Sequence, residues 1–419
     1  MKIIAILFAA LLSLAEAATA AGLPTARPEE VGLSSERLGR IAQVLKADVE
    51  RGRIPGAVVL VARKGRVVYL EAVGFRDKAT GAPMTRDAIF RIASMTKPLT
   101  TVAAMQLWEE GRLLLSDPVS KHLPALADLK VGVERVDPAT AKAVVQTVAL
   151  DREMTIQDLM RHTSGLTYGN RGKTAIHQLY PESSTVASQT LTGEELIARL
   201  GRTPLLHQPA TVWEYGLSVD VLGRVVEVVA GKPLAQVLEE RIYRPLGMTD
   251  TMFLLSPDRS GRLAQPLATH PETGQPYTVP DPTVKRKFDC GGGCAVPTVN
   301  DYARFAQMLL NRGALDGRRV LAPRTVDFMT ADHLGAIARP AVYSAGPGYT
   351  WGLGFAVRLE RGLSPMAGSP GDYFWPGAYA TYFWVDPKLE LVVVSMLQSP
   401  LGRQYNPLMR SLVHQGLTE

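Results

Sequence analysis

The sequence predicts a mixed α/β fold of the α+β type: one antiparallel sheet assembled from both ends of the chain, flanked by helices, with a mostly helical lobe inserted between them. Three observations predict it. Strand-like apolar runs lie near the start, "AVVLVAR" at 57–63 and "VVYLEAVG" at 67–74. Two more lie near the end, within "YATYFWVDP" and "LELVVVSML". The long middle stretch is dominated by helical periodicity and carries no internal repeat, an order that places the terminal segments in one sheet.

Taken in order, the chain opens with "MKIIAILFAALLSLAEAATAAG", one lysine before an apolar run too short to span a bilayer, followed by small-x-small sites. This predicts an export signal over 1–20, cleaved near residue 17 or 20, and a periplasmic or secreted protein. Residues 21–419 then form a single domain, with a sheet subdomain over about 25–93 and 345–419 and a helical subdomain over about 94–344. The two early strands are joined at Lys64-Gly65-Arg66 as a short hairpin. A helix runs from about Ser94 to Gly111, where glycine stops it. Residues 128–152 have weak patterning. Residues 168–191 read as a long polar loop, and 255–288 as an irregular Pro-rich stretch. Helices are expected at about 193–200, 217–230 and 234–242. An amphipathic one covers "TVNDYARFAQMLLNRG", with Thr298 or Asn300 as N-cap and Gly313 at its end. The last two strands turn at Asp386-Pro387-Lys388, and a final helix covers 403–416.

Composition excludes several function classes. Hydrophobic residues at 46% and charged residues at 21% are those of a folded globular chain. The net charge of +6 is spread out; its densest piece, "VKRKFD", has one aromatic neighbour and gives no nucleic-acid footprint. No stretch beyond the leader is long enough to span a membrane. The seven histidines form no His-x-x-x-His pair and two cysteines alone build no zinc site, so no metal is expected. No Gly-x-Gly-x-x-Gly or Gly-Lys-Ser/Thr loop appears, and no cofactor is implied. Cys290 and Cys294, in "DCGGGCAV", are spaced so that a short-loop disulfide is possible after export, and a free pair is equally compatible.

The chemistry centres on "RIASMTKPLT", residues 91–100, where Ser94 and Lys97 stand three apart at a helix start. Positions i and i+3 share a helix face, so Lys97 would bring its ammonium to the Ser94 hydroxyl, beside the free N–H groups of the first turn. Ser-x-x-Lys alone is common, and by itself reads first as a helix-capping serine with a solvated lysine. The wider context decides. "FRIASMTKPLTTVAAMQLWEEGRLLLSDPVSKHLP", "LMRHTSGL", "WEYGLSVDVLGRVVE", "GGGCAVPTVNDYARFAQMLLNRG" and "TYFWVDPKLELVVV" resemble, in order, the serine β-lactamase and penicillin-binding group. The class C type is nearest, and within it the family VIII carboxylesterases.

The resemblance implies a β-lactamase/transpeptidase-like fold, with Ser94 as nucleophile and Lys97 as its partner. The tyrosine of the group's Tyr-x-Asn element falls on Tyr215, which would exchange the serine proton under the influence of the Lys97 charge. The Lys-Thr-Gly element falls on Trp375-Pro376-Gly377, and the backbone N–H groups of Ser94 and Ala378 would form the oxyanion hole. Pro376 departs from the small residue usual there and suggests an edge or bulge. Trp375, Gly377 and Leu217 would line the substrate site. Trp375 replaces a lysine and Leu217 an asparagine, so two polar anchors become apolar; this argues for neutral short-to-medium acyl esters over anionic β-lactams. His162 reads as structural, because Lys and Tyr share the proton work. "AGSPG" at 367–371 lacks the strand–turn–helix context of a nucleophile elbow. The expected activity is a secreted serine esterase working through an acyl-enzyme on a small-molecule ester. A β-lactamase or D-alanyl carboxypeptidase, an acyltransferase, and a penicillin-binding scaffold that acylates without turnover use the same residues.

Overall fold

The computed structural model describes residues 22–136, 138, 143–340, 343–360 and 362–419. The expected export signal over 1–20 lies outside the described residues. Helix α1 (Ser35–Glu50) precedes strands β1 (Gly56–Arg63), β2 (Arg66–Asp77) and β3 (Ala82–Pro83). The middle of the chain carries α2 (Thr96–Glu109), the hairpin β4–β5 (Val131–Val136, Ala143–Val148), α3 (Ile156–Met160), α4 (Ser184–Thr190), α5 (Gly193–Leu200), α6 (Ser218–Ala230), α7 (Leu234–Leu238), α8 (Arg244–Leu246) and α9 (Val299–Leu310). A short hairpin β6–β7 (Ala314–Leu315, Arg318–Arg319) and α10 (Pro323–Met329) follow. Strands β8 (Tyr349–Trp351), β9 (Ala356–Arg358), β10 (Tyr373–Pro376), β11 (Tyr382–Asp386) and β12 (Leu391–Leu397) then lead into α11 (Gly402–His414).

The sheet has eight strands in the order β3-β2-β1-β12-β11-β10-β9-β8, and every neighbouring pair is antiparallel. It is the terminal-segment sheet the sequence predicts. Its centre is the β1–β12 pair, in register from Ala57↔Leu397 to Arg63↔Leu391. Both strands are buried along their whole length, which is why they read as continuous apolar runs instead of alternating ones. Helices α1 and α11 pack on each other, with α1 against β1 and β2; α9 packs on β1, β11 and β12, and α2 on α6.

Local chemistry explains the joints. Lys64 (φ +51°) and Gly65 (φ +74°) both take left-handed conformations, the geometry of a two-residue turn whose twist matches its strands; Arg66 already belongs to β2. Thr298, not Asn300, caps α9 by accepting a hydrogen bond from the Asp301 N–H. Pro376 has the local edge position that its missing N–H suggests: β10 lies between β9 and β11, but pairing with β9 stops at Phe374, so Pro376 ends the strand with a partner on β11 alone. Residues 128–152 hold the exposed β4–β5 hairpin, and the polar loop 168–191 contains α4.

Two buried carboxylates matter for stability. Asp372 is fully buried between Arg358 (2.7 Å) and Arg410 (3.1 Å), binding the C-terminal helix to β9 and β10. Asp301, in the first turn of α9, accepts hydrogen bonds from the Asp250 N–H (2.8 Å) and the Thr251 hydroxyl (2.7 Å) at one oxygen. Burial pushes its carboxyl up to about 6, against those two bonds. A folded-state value above the unfolded one means that ionisation costs stability as pH rises from about 4 to about 6, and the cost persists above that. Asp301→Asn keeps an oxygen for both bonds and removes the charge. It should therefore be more stable than the parent at pH 8, by about 3 kcal/mol, with the gap closing below pH 4; urea unfolding at both pH values reads this directly.

Candidate active site

The site lies where the start of α2 meets the end of β10. Ser94 occupies a 3₁₀ turn, Ala93–Met95, immediately before α2. The helix expected from Ser94 thus begins at Thr96, and Ser94 sits one turn ahead of it. Ala93 carries φ +42°, a conformation costly for a residue with a Cβ and one that clusters at functional sites. Lys97, in the first turn of α2, is fully buried. Its ammonium donates to Ser94 Oγ (3.2 Å), the Tyr168 hydroxyl oxygen (3.2 Å) and the Gly292 carbonyl (2.6 Å). All three of its protons have acceptors. Burial alone would lower its pKa, but Tyr168, Tyr215 and Asp220 around it outweigh burial and leave it above the ordinary lysine value.

Tyr215 stands just before α6, with the Lys97 nitrogen 4.6 Å from its ring centre. Its hydroxyl oxygen accepts a hydrogen bond from the Trp375 indole N–H at 2.9 Å. The indole thus supplies a donor to the tyrosine from the place where the resemblance puts a lysine. Tyr215 is walled by Trp375 (5.1 Å between ring centres), Trp213 (5.9 Å) and His162 (4.7 Å), and Trp375 packs edge-on against Trp351 (4.5 Å). His162 is completely buried, neither ring nitrogen has a hydrogen-bond partner among the described residues, and burial holds its pKa well below the usual value. It is a neutral ring packed behind the tyrosine.

Gly377 explains how the strand end approaches the serine. A Cβ there would lie 2.1 Å from Thr381 Oγ1 and 2.2 Å from the Ile92 carbonyl oxygen, so only glycine fits. The Thr381 hydroxyl donates to that same carbonyl, two residues before Ser94. Ala378 follows Gly377 directly. Leu217 is fully buried at the start of α6; it fills space beside the site and presents no surface to a ligand. Ser369, of "AGSPG", is buried in the turn before β10, where its N–H donates to Asp386.

Four residues escaped the sequence reading. Tyr168, Ser184, Asp220 and Gly292 join Lys97 in a buried network: Tyr168 to Ser184 at 2.6 Å, Ser184 to Asp220 at 2.6 Å, and the Gly292 N–H to Asp220 at 3.0 Å. One signal was present: an aspartate on the otherwise apolar inner face of α6, between Val219 and Val221. The glycine run that carries Gly292 is closed by a disulfide between Cys290 and Cys294, with Cα atoms 5.5 Å apart. Among the described residues no three His, Cys, Asp or Glu side chains converge as metal ligands would, and no helix is long and apolar enough to cross a membrane.

Known proteins resemble this chain in sequence and in fold. The Beta-lactamase family model matches residues 41–417. The chain is 30% identical to esterase EstB of Burkholderia gladioli over 388 residues, covering 88% of this chain and 92% of that protein. Among solved structures, EstCE1, a hydrolase with promiscuous acyltransferase activity, superposes with a TM-score of 0.72 at 27% identity, covering 90% of this chain and 99% of that one. Simvastatin synthase LovD of Aspergillus terreus superposes with a TM-score of 0.75 at 26% identity, covering 91% and 98%.

Proposed function

The chain belongs to the beta-lactamase family and is a serine hydrolase of that fold; from that premise we propose that it is an exported esterase that cleaves neutral, short-to-medium acyl esters through a Ser94 acyl-enzyme. The observation that carries the reading is the 3.2 Å contact between the fully buried Lys97 ammonium and the Oγ of the partly buried Ser94.

Ser94 Oγ attacks the ester carbonyl carbon as its proton passes to the Tyr215 oxygen, which takes it as a phenolate held beside the Lys97 ammonium. The backbone N–H groups of Ser94 and Ala378 hold the tetrahedral oxyanion. Collapse breaks the bond to the alcohol oxygen, which leaves with the proton from Tyr215; a water molecule then repeats the sequence on the acyl-enzyme and releases the acid. Hydrogen-bond accounting favours Tyr215 over Tyr168 as the proton carrier. The single Ser184 proton goes to the Asp220 carboxylate, so Tyr168 must be a protonated phenol donating to Ser184, with no phenolate oxygen to take the Ser94 proton. Trp375 packs an indole, and no positive charge, against Tyr215, which suits a neutral acyl group. Export is part of the same proposal: residues 1–20 read as a signal, and the Cys290–Cys294 disulfide suits an oxidising compartment.

One observation favours a second reading. The Arg171 guanidinium lies 5.8 Å from the Tyr215 ring centre and is partly exposed, a cation able to take a substrate carboxylate in a β-lactamase or D-alanyl carboxypeptidase. Steady-state turnover of p-nitrophenyl butyrate and nitrocefin by the mature protein separates the two. We expect kcat/KM for the ester to exceed that for nitrocefin by about 10²-fold or more, the size of a lost charged anchor. The reverse order would overturn the neutral-ester assignment.

A further inference from the structure

The buried chain behind Lys97 has a direction. Lys97 donates to Tyr168, Tyr168 to Ser184 and Ser184 to Asp220, whose other oxygen accepts from the Gly292 N–H. Every donor points one way, from the ammonium toward the carboxylate, and each hydroxyl has its one proton committed. Asp220 is 1% exposed on α6, flanked by the buried Val219 and Val221. A carboxylate so placed is costly unless a compensating charge and hydrogen bonds hold it. Gly292 closes the assembly. A Cβ at that position would stand 2.4 Å from both Asp220 Oδ2 and Ser184 Oγ, so the glycine permits the contact on which the chain ends. No step of the proposed mechanism uses Asp220 or Ser184.

We propose that Asp220, acting through Ser184 and Tyr168, is the positioning residue that holds the proton on Lys97 and fixes its ammonium against Ser94. The role rests on the reading of Ser94 as nucleophile. The charged and titratable groups facing the pair are few. Tyr215 borders Lys97 from the start of α6, His162 stands behind Tyr215 as a neutral ring, and Arg171 lies beyond it, paired to Glu214 at 3.6 Å. Asp220 is the carboxylate in hydrogen-bonded continuity with the lysine. Burial raises its pKa above the ordinary carboxylate value, and Lys97, the Ser184 hydroxyl and the Gly292 N–H offset that rise only in part. Removing its charge takes away an attraction that favours protonated Lys97, so the lysine should lose its proton at lower pH.

The test is the pH dependence of ester kcat and of Ser94 labelling by a fluorophosphonate, followed by intact mass, in the parent, Asp220→Asn and Ser184→Ala. Asp220→Asn should lower kcat by about tenfold or more with KM unchanged, and its alkaline limb should move to lower pH by about one unit. Ser184→Ala, which interrupts the chain and leaves the carboxylate in place, should move the limb the same way by less; it also carries the test if Asp220→Asn does not fold. A limb that stays put overturns the proposal. A shift in Asp220→Asn alone refutes the route through Ser184. If the parent itself is never labelled at Ser94, the nucleophile reading falls and this inference with it; labelling with unshifted limbs sinks the inference alone.

Discussion

Ser94→Ala should lower ester turnover by about 10⁴-fold or more and leave the fold unchanged. The size follows from the chemistry: the variant has no atom to form the acyl bond, so only binding and the polar surroundings of the pocket remain to speed the reaction. The innocence toward folding follows from the hydrogen bonds. Lys97 keeps the Tyr168 oxygen and the Gly292 carbonyl as acceptors, so the buried ammonium loses one partner of three. Ser94 is itself only partly buried. The check has two parts: steady-state hydrolysis of p-nitrophenyl butyrate, and intact mass after a rapid quench. The parent should show an acyl adduct on residue 94 and the variant none. Near-parental turnover in Ser94→Ala would sink the acyl-enzyme mechanism, whatever the family.

Asp372→Ala should be the most destabilising single change on the sheet side, costing about 3–5 kcal/mol. In the parent, one carboxylate lies between two guanidinium groups. Arg358 Nε donates to it at 2.7 Å, and Arg410 grips both its oxygens at 3.1 Å each. All three side chains are essentially out of contact with solvent. The rings of Tyr349 and Trp384, 4.6 and 4.7 Å from the two guanidinium carbons, take up part of the remaining positive charge. Without the carboxylate, two like charges face each other in the interior with only neutral acceptors left. A loss of this size is a large fraction of the 5–15 kcal/mol typical of a folded domain. Urea unfolding of Asp372→Ala and Asp372→Asn measures it; the asparagine variant, which keeps acceptor atoms, should fall between. Parental stability in the alanine variant would show that the two arginines relax apart at little cost.

Much of this was legible in the sequence because it is carried by local patterns. The apolar runs of β1 and β12, the Ser-x-x-Lys at the start of α2 and the cap of α9 are each written in a handful of adjacent residues. The strands β8 and β9 were not, since three residues are too few to show a period. The β4–β5 hairpin was missed because its outer positions are exposed and varied. The network behind Lys97 escaped for a different reason. Tyr168, Ser184, Asp220 and Gly292 come from four separate segments, and what unites them is hydrogen-bond distance, which linear spacing does not encode. The glycine run illustrates this. Between two cysteines it read as a bend with no function, and only the fold shows its backbone turned toward the lysine.

The pairing of β1 with β12 has a consequence in time. Ala57 has Leu397 as its partner, so the first long strand to leave the ribosome lacks one neighbour until nearly all the chain has been made. Trp375 and the approach of Gly377 to Ile92 come equally late. A chain interrupted anywhere before the last strand leaves the edge of β1 bare, a row of unmatched amides inviting the wrong partner. Hydrolytic competence in this architecture is therefore a report of completion: Ser94 acquires its surroundings only when the latest segment has arrived.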